Sequence, residues 1–116
     1  MKILILEDAP ERIRTFQKQL KDHDVYFFDD VADAIAAVEF IGDFDMYFID
    51  HDLDNQVFVD SHESNTGYQF AKHLSKKELS DSIDIIIHSM NPVGAQNIKS
   101  VLPQSKIIPF PSLFST

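Results

Sequence analysis

The sequence predicts a three-layer α/β/α sandwich around a five-stranded parallel sheet, and three observations carry that prediction. Five short apolar runs alternate with four segments of helical periodicity, the pattern of a parallel sheet built by right-handed crossovers. Several of the runs are continuously apolar rather than alternating, as in strands covered on both faces. The length, 116 residues, suits one domain spanning 1–116, because compact units usually run ~100–150 residues.

The elements follow in order. Residues 2–6 (Lys-Ile-Leu-Ile-Leu) make the first strand, ended by Glu7 and Asp8. Pro10 stands where a first helical turn accepts it, and Asp8 with Glu11 has capping-box spacing, which makes Asp8 a candidate N-cap. Ile13, Phe16 and Leu20 then share a helical face. A second strand is expected over 25–28. Asp29 or Asp30 caps the next helix, whose stripe is Val31, Ala34, Ile35, Val38 and Ile41. Residues 46–49 form a third strand ending in Asp50-His51-Asp52. The polar stretch 54–66 is long for a βα connection, usually ~2–6 residues, and reads as a functional loop or lid. Tyr68, Phe70, Ala71 and Leu74 mark a third helix, and 83–87 a fourth strand ending in His88-Ser89. Pro92 and Gly94 lead into a helix carrying Ala95, Ile98, Val101 and Leu102, and 106–110 is the fifth strand.

Composition narrows the function classes. With 44% apolar and 25% charged residues, the chain has the profile of a soluble globular protein. No apolar run approaches the ~20 residues that span a bilayer, and no signal-peptide core is present, so a cytoplasmic location without a membrane partner is expected. The absence of Cys excludes disulfides, thiolate nucleophiles and Cys-based zinc sites. A net charge of −9 argues against bulk nucleic-acid binding. Between residues 22 and 71 there are thirteen Asp or Glu and no Lys or Arg, so that block either faces solvent or helps neutralise a cation.

In open α/β sheets the ligand site lies beyond the carboxyl ends of the strands. That rule selects Glu7 and Asp8, Asp50, His51 and Asp52, and His88, Ser89 and Asn91 as residues expected to gather at one edge. Over essentially the whole chain the arrangement resembles the response-regulator receiver (CheY-like) superfamily. Glu7-Asp8 resembles a receiver's acidic pair, Asp50 its phospho-accepting Asp, Ser89 the hydroxyl after strand four, and Gly67 the Gly opening the third helix. Two features depart from it. Receivers carry Lys-Pro at the end of strand five, where this chain has Phe110-Pro111, and the chain stops at Thr116, without the last helix. Asp50-His51-Asp52-Leu53, Thr66-Gly67-Tyr68 and the segment from His88-Ser89 through Asn91-Pro92 and Gly94 to Asn97 are similar to a receiver-derived branch that processes cyclic phosphates.

That resemblance implies a phosphoesterase-like enzyme acting on a cyclic phosphate or related phosphodiester, such as an RNA 2′,3′-cyclic phosphate end or a phosphorylated small molecule. A receiver-like binding or regulatory module is the alternative. Opening such an ester requires a base, an acid and stabilisation of phosphoryl charge. Imidazole serves near neutral pH, so His51 and His88, with Asp50, are the expected catalytic set. An anion beside so many carboxylates would be repelled by roughly 4 kcal/mol per charge pair at ~4 Å and an effective dielectric of 20. A divalent cation, Mg²⁺ or Mn²⁺, is therefore expected, held by Asp8 and Asp50 with Glu7 or Asp52 assisting. Ser89 and Asn91, with the first amides of the fourth helix, are expected to bind phosphate, and Arg12 and Lys99 are the nearest cations. Phe110, Leu113 and Phe114, with no following helix to cover them, are expected as a local packing or homodimer surface.

Overall fold

The computed structural model describes residues 1–53 and 58–115, so the first part of the expected 54–66 loop, 54–57, lies outside the described residues. The strands are β1 (Lys2–Leu6), β2 (Asp24–Phe28), β3 (Met46–Ile49), β4 (Asp84–Ile87) and β5 (Lys106–Ile107). All pair in parallel in the order β2-β1-β3-β4-β5. The helices are α1 (Pro10–Gln19), α2 (Val31–Ile41), α3 (Gly67–Ser75) and α4 (Pro92–Val101). Among the described residues no helix is long and apolar enough to cross a membrane.

Alternation along the strands creates two cores, one on each face of the sheet. Leu4, Leu6, Tyr47, Ile49, Ile85 and Ile87 pack beneath α2, α3 and α4. Ile3, Ile5, Phe48 and Ile86 face the other way, onto Phe16 of α1. The register pairs Ile5 with Phe48 and Phe48 with Ile86. The next residues on that same face are therefore Glu7, Asp50 and His88.

Two local expectations are corrected. Helix α1 is not capped by Asp8: its cap residue is Ala9, without a side-chain cap. Glu7 Oε2 instead accepts the amides of Asp8 and Ala9 at 3.0 and 3.1 Å. Asp30 does cap α2, accepting from the Asp33 amide at 2.8 Å. Strand β5 ends at Ile107 rather than Phe110, although Ile108 and Phe110 still donate to the carbonyls of Ile87 and His88. Pro109 and Pro111 fix φ there, and the chain folds into a 3₁₀ turn over Phe110–Ser112.

That turn bears on the apolar tail, expected to pack locally or to form a homodimer surface. Phe110, Leu113 and Phe114 are half-buried against the α1-side core, which is the local packing. The Phe16 ring meets Phe110 and Phe114 edge-on at 5.7 and 5.8 Å.

Candidate functional site

The strand register delivers Glu7, Asp50 and His88 to one place, the α1 face of the sheet's carboxyl edge. One ligand atom from each lies within 4.8 Å of the others, and all three residues are buried. His88 Nε2 is 3.0 Å from Glu7 Oε1. Its ring is enclosed by Phe16, Phe48 and Phe110 at 5.3, 6.4 and 6.4 Å between centroids. Arg12 Nη1 reaches in from α1 to 3.6 Å from Glu7 Oε1 and 3.9 Å from Asp50 Oδ2, with its guanidinium 5.1 Å from the centre of the Phe110 ring. Arg12 is a quarter exposed and forms the solvent side of the group.

Burial sets the protonation here. It pushes the Asp50 carboxyl up to about 8, helped by the charge of Glu7 and opposed by Arg12 and the His51 amide. Burial also pushes Glu7 upward, but the hydrogen bond from His88, the Ala9 amide and Arg12 outweigh it and hold Glu7 below the usual carboxylate range. Desolvation keeps His88 below the ordinary imidazole value despite Glu7. The group is then Glu7⁻, Arg12⁺, neutral Asp50 and neutral His88, with one proton held by the buried carboxyl pair. Because Glu7 can only accept, His88 Nε2 carries the ring proton, and His88 Nδ1 has no hydrogen-bond partner.

These residues fit a divalent cation in part. Two carboxylates and a proton that a cation would displace suit hard-metal binding. A metal on His88 Nε2 would require a proton on Nδ1, where no acceptor stands. Glu7 and Asp50 are therefore the better-placed ligands, with His88 orienting Glu7. Asp8 and Asp52, expected as ligands, are not members of this group.

His51 lies elsewhere. One residue beyond Asp50, it projects to the opposite face, and its ring is wholly buried against α4. His51 Nδ1 is 2.8 Å from Asp52 Oδ1 and Nε2 is 2.8 Å from Ser61 Oγ. Asp52 also accepts the amides of Phe58 and Val59 at 2.7 and 3.1 Å and Asn91 Nδ2 at 3.1 Å. Burial pushes the Asp52 carboxyl up, but these bonds outweigh it and keep it below the usual range. Asn97 Nδ2 donates to Ser61 Oγ at 2.9 Å. Gly94 makes room for the ring: a Cβ there would lie 2.4 Å from His51 Cγ. Gly67 plays the same part for α3, since a Cβ there would lie 1.9 Å from the Asp50 carbonyl oxygen.

The expected pairing of His51 with His88 is thus corrected: the two rings occupy opposite faces and share no hydrogen-bonding side chain among the described residues. Asn91 caps α4 through Oδ1 to the Gly94 amide at 3.0 Å and braces Asp52, rather than presenting itself to a phosphate. Ser89 Oγ accepts the Asn91 amide at 3.0 Å, and the residue borders a cavity of about 230 Å³ between α4 and β5. Lys99 is turned away, its Nζ donating to the carbonyls of Pro103 and Ser105 at the far end of α4. Asn97 closes the segment that carries the resemblance, without a role of its own, and Ser61 is not among the expected site residues. Ser61 lies ten residues past His51 in an aperiodic stretch, and its only signal is the neighbouring His-Asp pair.

Solved structures similar to this chain are receivers. A CheY-like receiver domain from Methylobacillus flagellatus aligns at 20% identity, over 98% of this chain and 92% of that one, with TM-score 0.65. The Vibrio cholerae chemotaxis protein CheY4 aligns at 20% identity, over 93% and 84%, with TM-score 0.67. The Mn²⁺-bound form of response regulator Rcp1 aligns at 16% identity, over 92% and 78%, with TM-score 0.66. At these identities the likeness is one of fold. No curated protein matches the chain. The model of the cyclic-phosphate processing receiver domain matches residues 2–104, nearly the whole length, and the chain belongs to that family.

Proposed function

We propose that the chain is a cation-assisted phosphoesterase that opens a cyclic phosphate or related phosphodiester, carried by a small molecule or an RNA end, in the cytoplasm. The observation that carries this reading is the buried Glu7–Asp50–His88 group with Arg12 at its mouth. Arg12 puts a positive charge where strand five offers Phe110 in place of a receiver's Lys, and it pairs with a phosphoryl oxygen. Glu7 and Asp50 hold the cation, and His88 Nε2–H keeps Glu7 oriented. When bound, a divalent cation supplies Lewis-acid polarisation of the phosphoryl group and lowers the pKa of a coordinated water. Asp50, whose carboxyl burial holds protonated up to about 8, would give up that proton as a cation binds and act as a carboxylate ligand.

The experiment is turnover of 2′,3′-cyclic nucleotides and short RNAs ending in the same group, with Mn²⁺ or with a chelator. Cation-dependent product is expected, with a loss of ~10²-fold in Asp50→Asn, which removes a carboxylate from the cation site. Absence of turnover, or turnover indifferent to chelation and to Asp50→Asn, overturns it. A non-enzymatic receiver-like module is the second reading. It is favoured by the near-complete burial of Asp50 and His88, and stable labelling of Asp50 by a small phosphodonor supports it.

A further inference from the structure

On the opposite face of the same sheet edge, three side chains form a hydrogen-bonded relay that the phosphate site does not use. Asp52, held by four donors, accepts from His51 Nδ1–H, so His51 Nε2 has a lone pair that accepts the Ser61 hydroxyl at 2.8 Å. Nucleophile to base and base to carboxylate are both 2.8 Å, the mutual geometry of an activated serine. Ser61 borders an open cavity of about 760 Å³, within the range of small-ligand sites. Phe58, Tyr68 and Val93 give this cavity an apolar wall, and Asn97 lines it with an amide that already touches Ser61 Oγ. Among the described lining residues there is neither Lys nor Arg, and Asp60 is one of them. An anionic ester is therefore disfavoured here, in contrast to the Arg12 site.

We propose that Ser61, His51 and Asp52 are the nucleophile, base and orienting carboxylate of a second centre that hydrolyses small uncharged carboxylic esters bound in this cavity. The Ser61 Oγ–H proton passes to His51 Nε2 as Oγ bonds to the ester carbonyl carbon. The carbon–alkoxy bond then breaks, and the same proton leaves with the alcohol, giving acyl-Ser61. A water repeats the sequence: its proton goes to His51, its oxygen adds to the acyl carbon, and the Ser61 ester bond breaks. The proton returns to Ser61 Oγ, and a carboxylic acid is released. Asn97 and its second amide N–H stand beside the oxygen that gains charge.

The test treats the whole chain with a neutral alkyl fluorophosphonate and with p-nitrophenyl butyrate, in the presence of a chelator. Failure of the cation-dependent phosphate reading therefore leaves it unaffected. A single adduct at Ser61 by peptide mapping is expected, absent in Ser61→Ala. Labelling and ester turnover should both slow ~10²-fold or more in His51→Gln and Asp52→Asn. His51 is wholly buried, so Asp52→Asn and Ser61→Ala, checked for cooperative melting, decide the matter where His51→Gln fails to fold. No adduct at Ser61, adducts spread over exposed serines such as Ser64, or equal labelling rates in Asp52→Asn and the wild type overturn the proposal. Those results would reduce the relay to a clasp that ties 58–62 to α4.

Discussion

At the carboxyl edge of the sheet, two polar clusters begin one residue apart in sequence and differ in how their hydrogen-bonding capacity is filled. On the α1 face, Glu7, Asp50 and His88 hold more acceptors than donors, so a carboxyl keeps its proton and one imidazole nitrogen stays bare. On the α4 face, one continuous line of donors runs from Asn97 through Ser61 and His51 to Asp52. The first arrangement has Arg12 as the positive charge beside its two carboxyl groups, and the second balances its acceptors with hydrogen-bond donors alone. The peptide between Asp50 and His51 separates them because successive side chains in an extended chain point to opposite faces.

The comparison is broken most forcefully through the two glycines. Gly67→Ala sets a Cβ against the Asp50 backbone, which cannot yield, and is expected to destabilise by ~3 kcal/mol or more. Gly94→Ala presses on the His51 ring and falls within ~1–3 kcal/mol. Urea denaturation of both variants ranks them.

A finer instrument is pH, in the presence of chelator. Asp50 has a folded pKa pushed up to about 8, so between the ordinary carboxylate range and pH 8 the folded state binds more protons than the unfolded one. Stability then falls as pH rises through that window, by up to ~1.4 kcal/mol per pH unit. Asp50→Asn removes that dependence, and its melting temperature should exceed the wild type's at pH 8. Below the ordinary imidazole value of ~6.5, His88, kept neutral by burial, gives the opposite slope. The deciding window is therefore above it: a wild-type melting temperature that is flat from pH ~6.5 to 8 contradicts the assignment.

Asp52→Asn acts on the other face. Its carboxyl is held below the usual range, a contribution present above that range and lost as pH falls below it. The amide cannot accept from every donor now on Asp52, at a cost of ~1–3 kcal/mol, with no change in the cation response of the α1 face. Smallest of all is Lys99→Ala, which removes donors at the end of α4. It is expected to cost a few tenths of a kcal/mol to ~1 kcal/mol and to leave phosphate and cation affinities unchanged by titration.

The order and type of the elements were legible because continuous apolar runs and helical stripes leave few alternatives. Strand-end rules also brought the right residues to the right edge. The missed step was parity. Ile3-Ile5-Glu7, Phe48-Asp50 and Ile86-His88 are each spaced by two, so the parity of the strand assigns His51 to the far face. Other misses have no such remedy. Spacing alone placed the start of α1 one residue early: the cap residue is Ala9, and the amides of Asp8 and Ala9 just before the helix go to the buried Glu7 carboxylate. The partnership of Ser61 with Asn97 depends on where an aperiodic loop settles, which local spacing does not encode. The tail stays open between two readings at the level of sequence, because apolar residues after a short strand read equally well as a surface or as a cover.

The bare Nδ1 of His88 has a spectroscopic consequence. With no acceptor at that nitrogen, the ring is confined to one tautomer, and its lone N–H is sealed between Glu7 and three phenylalanine rings. Such a proton exchanges with solvent only when the interior opens. Its resonance would stand apart from those of the exposed histidines and shift with any change in charge on the carboxylate it touches. The molecule thus carries a built-in gauge, readable by nuclear magnetic resonance, of any change in charge at the Glu7–Asp50 pair.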